Sequence, residues 1–275
     1  MSKPLDGRVV AITGGARGIG HTTARRLVAL GASVAIGDID DDALEAAAAE
    51  LGTSAHHRVD VTDPASFAAF LDHVEATVGP LDVLINNAGI MPVGRIVDED
   101  DAVTKRILDI DVFGVIIGTK LALQRMLPRG RGHVVNIASL AGELPMPGLS
   151  TYCGAKHAVL GFSDAVRKEV RGTGVHVSSV LPNLTNTQLA SGTTGMRGFR
   201  QVQPEEVADA IAGLLTRPRP RVRLTRVAGL LVQAQGFVPG PLWEAVSRLF
   251  GVESQFISGY DTAARAAYED RVRAC

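Results

Sequence analysis

The stretch Thr13-Gly14-Gly15-Ala16-Arg17-Gly18-Ile19-Gly20 is the most informative in this chain. The apolar run Arg8–Thr13 precedes it and reads as a buried strand. His21–Leu30 follows with helical periodicity and stops at Gly31. Glycines at such a junction permit a tight turn and close backbone approach. The free N–H groups at the helix start can then hold a pyrophosphate. Asp38 ends the next β-branched run, Ser33–Gly37, 20 residues after Gly18. A carboxylate there can accept hydrogen bonds from the hydroxyls of an adenosine ribose. The competing reading is a structural turn followed by a helix-capping aspartate.

The same alternation continues along the chain. Further strands are expected at His57–Val61, Asp82–Ile85, His133–Ala138, His176–Leu181 and Val222–Thr225. The helices expected between them are Asp40–Leu51, Ser66–Val78, Ala102–Met126, Tyr152–Arg171 and Pro204–Leu215. Strand, helix and strand repeated in this way make right-handed parallel crossovers. The expected architecture is α/β: a Rossmann-type, doubly wound, mostly parallel seven-stranded sheet with helices on both faces. Residues 1–226 read as one domain, with 227–275 as a helical extension packed on it. Residues 185–203 are rich in Gly, Ser and Thr without a clear period, and are expected to form a mobile lid.

Bulk properties narrow the class. Of 275 residues, 46% are hydrophobic, enough for a sizeable core. A net charge of -1 offers no global attraction to nucleic acid or acidic lipid. Cys153 and Cys275 lie far apart, which gives neither a disulfide framework nor a metal-ligand spacing and fits a reducing cytosol. No run approaches the ~20 apolar residues of a spanning helix, and the N-terminal residues lack the apolar core of a signal peptide. A soluble, cytoplasmic protein without a metal is expected.

Asp38 also bears on cofactor choice, because its carboxylate would repel the 2′-phosphate of NADP. Arg17 could meet that phosphate, but a like charge placed directly at the 2′ position should outweigh a flexible arginine. NAD is expected, with NADP as the alternative.

Tyr152-Cys-Gly-Ala-Lys156 places a phenol and an ammonium one helical turn apart on the same face. A free tyrosine, with a pKa of about 10, is a poor base at neutral pH. A neighbouring cation stabilises the phenolate and draws that value toward the working range. Tyr152 could then take an alcohol proton during oxidation or supply it during reduction. Ser139 follows the buried strand 13 residues before the tyrosine, where a hydroxyl can polarise a substrate oxygen. Cys153 beside it reads as packing rather than a reactive thiol.

With these residues in order, the sequence resembles the short-chain dehydrogenase/reductase family, over roughly residues 5 to 225. The matching elements are Thr13–Gly20, Asp38, Asp60-Val61, Asn86-Asn87-Ala88-Gly89, Ser139, Tyr152 with Lys156, and Pro182 through Thr187. The resemblance implies that Gly14, Arg17, Gly18, Ile19, Gly20, Asp38, Asp60, Val61, Asn87, Ala88, Gly89, Pro182 and Thr187 surround the cofactor. It implies that Asn86 and its neighbours stabilise the central sheet and that Thr187 binds the nicotinamide carboxamide. By the same resemblance Ser139 orients substrate, Tyr152 is the acid/base, and Lys156 binds the nicotinamide ribose and lowers the tyrosine pKa.

Two positions depart from the family pattern. Asp111 stands where the family usually has an asparagine that completes a catalytic tetrad. Aspartate keeps an acceptor but loses the amide donor, and if buried and ionised it needs a partner, for which Lys156 is the candidate. Asn183 follows Pro182 where the family generally has glycine, and asparagine tolerates left-handed backbone better than most residues.

Ligands of such sheets bind beyond the carboxyl ends of the strands. The segments reaching that edge contribute Met91, Leu140, Leu144, Met146, Leu149, Leu184 and Met196, with Glu143 the one charged exception. Such a wall suits a hydrophobic secondary alcohol or ketone, steroid- or lipid-like molecules among them. The alternative enzyme reading is a 3-oxoacyl thioester reductase; the alternative of another class is a dinucleotide-binding regulator without turnover.

The chain continues about fifty residues past the last expected strand. Arg217, Arg219, Arg221, Arg223 and Arg226 form a basic run, and Pro241–Phe250 reads as an amphipathic helix. Such a pair can touch an anionic membrane without inserting; closing over an apolar substrate or packing on a partner subunit is the preferred reading. Asp261–Arg273 reads as a solvated final helix. By resemblance the protein is a homo-oligomer, a tetramer or dimer, burying the faces of helices 102–126 and 152–171.

Overall fold

In the computed structural model of the chain, residues 3–193, 201–225, 229, 255–257 and 259–274 are described. β1 (Val9–Thr13) is buried along its whole length. An apolar run with no polar face belongs in the middle of a parallel sheet. Accordingly β1 lies between β2 (Ser33–Asp38) and β4 (Val83–Asn86), parallel to both. β3 (His56–Arg58), β5 (Gly132–Ile137), β6 (Val175–Leu181) and β7 (Arg221–Arg223) complete a seven-stranded sheet of order β3-β2-β1-β4-β5-β6-β7. Every pairing is parallel. The Rossmann-type architecture expected from the alternation is the one found.

Alternate strand residues feed opposite faces. Val10, Ile12, Ile36, Ile85 and Val135 pack against α1 (Gly18–Ala29), α2 (Asp41–Leu51) and α7 (Pro204–Thr216). Ala11, Ala35, Leu84, Val134 and Val177 pack against α3 (Pro64–Val78), α5 (Gly114–Met126) and α6 (Ser150–Glu169). The chain fills one edge of the sheet through β2 and β3, then crosses to β4 on the other side of β1. The strand order therefore switches between β1 and β4, which opens a crevice at their carboxyl ends.

The structure corrects several boundaries. The helix expected over 102–126 is divided into α4 (Asp101–Leu108), a π-turn (Asp109–Phe113) and α5. The wide turn carries Asp111 fully into the interior, and Gly114 follows it where a Cβ would stand 3.0 Å from Val61 Cγ2. β3 ends at Arg58, so Asp60 and Val61 lie beyond the strand at the crevice edge.

The last helix, α8 (Thr262–Ala274), is not solvated all round. Arg265, Tyr268 and Val272, spaced as one helical stripe, are buried. The described ends of the expected lid are joined by a parallel bridge between Thr185 and Val202, and Gln188–Ala190 forms a short turn. The middle of that loop, with Met196, lies outside the described residues, as do Arg226 and the helix expected at Pro241–Phe250. Among the described residues no helix is long and apolar enough to cross a membrane.

Candidate active site

A cavity of about 680 Å³ occupies the crevice. One end is built on the glycine-rich turn. Thr13 Oγ1 closes β1 by accepting from the N–H groups of Asn87 and Ala88 at 3.1 and 3.2 Å. Asn87 Nδ2 in turn donates to the carbonyls of Thr13 and Gly14 at 2.9 and 3.0 Å. Gly14 has a φ of +63°, and a Cβ on it would stand 2.9 Å from Ala88 Cα. Gly14, Arg17, Gly18, Ile19, Asn87, Ala88 and Gly89 line the cavity. Gly20 is not part of the wall and lies beneath the turn, where a Cβ would meet Gly14 O at 2.1 Å. A side chain there would disrupt the turn.

Asp38 is held at the crevice edge by two backbone donors, Ala16 N–H at 3.1 Å and Asp40 N–H at 3.3 Å. Arg17, the cation that could have favoured a phosphate here, is paired with Asp40 at 2.6 Å. That guanidinium is the main reason the Asp40 carboxyl lies below its usual range. Asp40 also caps α2 by accepting from Ala43 N–H. Asp60 is oriented by Thr62, whose N–H and hydroxyl both donate to Oδ1. Asp60, Val61, Pro182 and Thr187 complete this end of the wall. Asn183 also lines the cavity, and like every non-glycine residue described it has no positive φ.

The other end carries the polar group expected to be reactive. Ser139, just past β5, accepts from Ala141 N–H at 3.1 Å, and Tyr152 stands in the first turn of α6. Lys156 Nζ, one turn on, lies 5.4 Å from the centre of the Tyr152 ring and donates to Ile137 O at 3.3 Å. All three side chains line the cavity.

Asp111 does not line it. It sits fully buried behind the wall, accepts from Ile90 N–H at 2.8 Å and places Oδ2 3.5 Å from Lys156 Nζ. It reaches the cavity only through Lys156, whose side chain lines the wall. Burial raises its carboxyl above the usual range, and Lys156 opposes that rise. The Tyr152 phenol is likewise pushed up, first by burial and then by the Asp111 charge, with the Ser139 hydroxyl acting the other way. The phenol is thus held in its protonated form.

Of the expected substrate residues, Met91, Leu140, Met146, Leu149 and Leu184 line this end and Leu144 does not. Glu143 faces away: Arg221 and Arg223 bind it at 2.7 and 2.6 Å, which also takes two members of the basic run out of any exposed patch. Cys153 is buried and free, with Sγ 3.4 Å from Met146 N. The sequence reading missed Tyr268, Arg271 and Val272, which line the cavity from α8. The 265/268/272 stripe was the available signal.

A parallel sheet with its cavity at the carboxyl ends of the strands, opened at the switch in strand order, defines the class, that of the Rossmann-type folds. Residues 8–197 match the short chain dehydrogenase family model, and the chain belongs to that family. It is 40% identical over 192 residues to a 3-alpha-(or 20-beta)-hydroxysteroid dehydrogenase of Mycobacterium tuberculosis, covering 69% of this chain and 73% of the relative. It is 33% identical over 236 residues to the probable oxidoreductase EphD of the same organism, and the match spans 77% of this chain but only 40% of that relative. The fold superposes with a TM-score of 0.79 on a Burkholderia phymatum short chain dehydrogenase/reductase solved in complex with NAD, at 23% identity over 85% of this chain and 94% of the other.

Proposed function

We propose that this protein is an NAD-dependent oxidoreductase that interconverts a hydrophobic secondary alcohol and its ketone. The observation that carries the reading is the convergence of Ser139, Tyr152 and Lys156 on one cavity whose far end holds the glycine turn and Asp38. The turn fits a dinucleotide diphosphate because its glycines leave the backbone bare. Asp38 fits unphosphorylated ribose hydroxyls, and Arg17 is already engaged by Asp40.

A bound nicotinamide would supply the hydride chemistry, as acceptor from an alcohol carbon or donor to a ketone. Ser139 Oγ donates a hydrogen bond to the substrate oxygen and holds it beside the phenol. In reduction Tyr152 Oη gives its proton to the developing alkoxide; in oxidation the phenolate takes it back. Lys156 meets the ribose and offsets the phenolate charge, and Asp111 fixes Lys156 from behind. Gly14, Gly18, Ile19, Asn87, Ala88, Gly89 and Thr187 form the cofactor's bed, and Asp60 and Val61 the adenine edge. The apolar wall of Met91, Leu140, Met146 and Leu184 supports a bulky substrate, as does the likeness to a hydroxysteroid dehydrogenase. A cytoplasmic homo-oligomer fits this reading, with the half-exposed Leu108 and Phe113 on the expected shared face.

A turnover screen of apolar secondary alcohols and ketones, with NAD(H) and NADP(H) in parallel, tests it. The expected result is turnover preferring NAD at least tenfold. Activity confined to acyl thioesters, or a strong NADP preference, would overturn it.

A further inference from the structure

The buried stripe of α8 reaches the substrate end of the cavity. Arg265 is 1% exposed and donates to the carbonyls of Leu189 and Ser191 at 3.0 and 3.1 Å, to that of Met91, and to Glu269 at 2.7 Å. Met91 follows β4 and Leu189 and Ser191 follow β6, so one buried guanidinium ties α8 to both loops flanking the cavity. Charge-assisted bonds of this kind hold geometry closely. The guanidinium also stands 4.8 Å from the centre of the Tyr268 ring and braces it from one side.

Met91 N–H donates to Tyr268 Oη at 2.7 Å. That bond uses a lone pair and leaves the phenolic proton, for which no acceptor exists among the described residues. Tyr268 lines the cavity. Burial holds its phenol protonated. Met91, to which it is bonded, packs in one buried cluster with Tyr152, and both tyrosines line the cavity.

Building on the oxidoreductase reading above, we infer that Tyr268 is a second substrate-binding donor, giving its hydrogen bond to an oxygen of the substrate other than the one that reacts. The substrate class is then a secondary alcohol or ketone carrying a further hydroxyl, ether or carbonyl oxygen, its carbon skeleton against Met91, Met146 and Leu184. A ligand without that oxygen strands a buried donor, which is how a site built for one polar group rejects the hydrocarbon analogue.

The test uses the full chain and cyclohexanone with its 2-, 3- and 4-hydroxy, methoxy and methyl derivatives. Affinity is measured by calorimetry in the presence of NADH, and KM by turnover. The expected result is that at least one hydroxy isomer binds about tenfold tighter than cyclohexanone, that its methoxy counterpart keeps most of the advantage because the protein is the donor, and that the methyl counterpart loses it. In Tyr268→Phe the hydroxy-to-parent ratio should collapse toward one. An equal ratio in the wild-type protein, a methyl derivative as good as the methoxy, or an unaltered ratio in the variant would overturn the inference. Absence of turnover with every ketone would instead defeat the oxidoreductase reading, while the calorimetric ratios still report on Tyr268.

Discussion

Asp111 Oδ2 stands 3.5 Å from Lys156 Nζ, with Lys156 in the cavity wall and Asp111 fully buried behind it. The pair lies behind Tyr152, and the Asp111 charge is one of the forces holding that phenol protonated. A carboxylate in the position where the family usually has an asparagine therefore acts on the Tyr152 phenol through electrostatics.

Asp111→Asn keeps an acceptor for Ile90 N–H and removes the charge. Oxidation needs the phenolate, so its rate rises with pH through the apparent pKa of Tyr152. Removing a negative charge that raises this pKa should move the rising limb to lower pH by about one unit, read from kcat against pH. Asp111→Ala also strands Ile90 N–H and leaves Lys156 without its carboxylate. It should cost about 3 kcal/mol or more in urea unfolding, well beyond the asparagine variant.

Cofactor choice rests on Asp38 and on the Arg17–Asp40 pair. Asp38→Ser should raise kcat/KM for NADP relative to NAD by about tenfold, the removal of a like charge facing the 2′-phosphate. Adding Asp40→Ala frees Arg17 and should raise it further, with about 1 kcal/mol of stability lost because Asp40 caps α2. Parallel steady-state kinetics with both cofactors measure the effect.

Gly20→Ala places a methyl carbon where the only neighbour at 2.1 Å is a backbone carbonyl, Gly14 O. Backbone cannot swing aside as a side chain can, so the turn must distort. Titration of NADH fluorescence should show affinity weakened by about tenfold or more, the scale of losing one or two well-made bonds to the diphosphate.

His133 is buried in β5 with Nε2 2.8 Å from Ser178 Oγ. Ser178 gives its own proton to Arg219 O, so the hydroxyl accepts and His133 is the neutral Nε2–H form. Burial first, then the charges of His176 and Arg8, depress its pKa to about 3. A histidine depressed below its unfolded value stabilises the fold fully above that value and loses the contribution as pH falls. Unfolding free energy should drop by about 2 kcal/mol between pH 7 and 5 from this group. In His133→Asn that slope should flatten, as checked by denaturant midpoints at the two pH values.

The fold was legible because its signals are local. β1 is apolar throughout, Gly31 stops the first helix, and the 13–20 turn and Asp38 sit where a crossover needs them. Ser139, Tyr152 and Lys156 carry their spacing in the sequence, and the cavity brings them together. What was not legible depends on contacts distant in the chain. The π-turn at 109–113 looks like ordinary helix because only packing against Lys156 and Val61 requires it. Leu144 and Glu143 lie in a segment that reaches the crevice, but which side faces inward is settled by Arg221 and Arg223, far along the chain. Arg265 and Tyr268 sit in a segment of low mean hydropathy that reads as solvated, and their partners are Met91, Leu189 and Ser191.

The most direct measurement compares turnover and NADH binding in Tyr152→Phe. If the phenol is the proton-transferring group of a dehydrogenase, kcat should fall by about a thousandfold, the usual worth of a positioned acid/base, while the NADH dissociation constant stays within about threefold. A variant that binds NADH and still turns over alcohol near the wild-type rate would contradict the account.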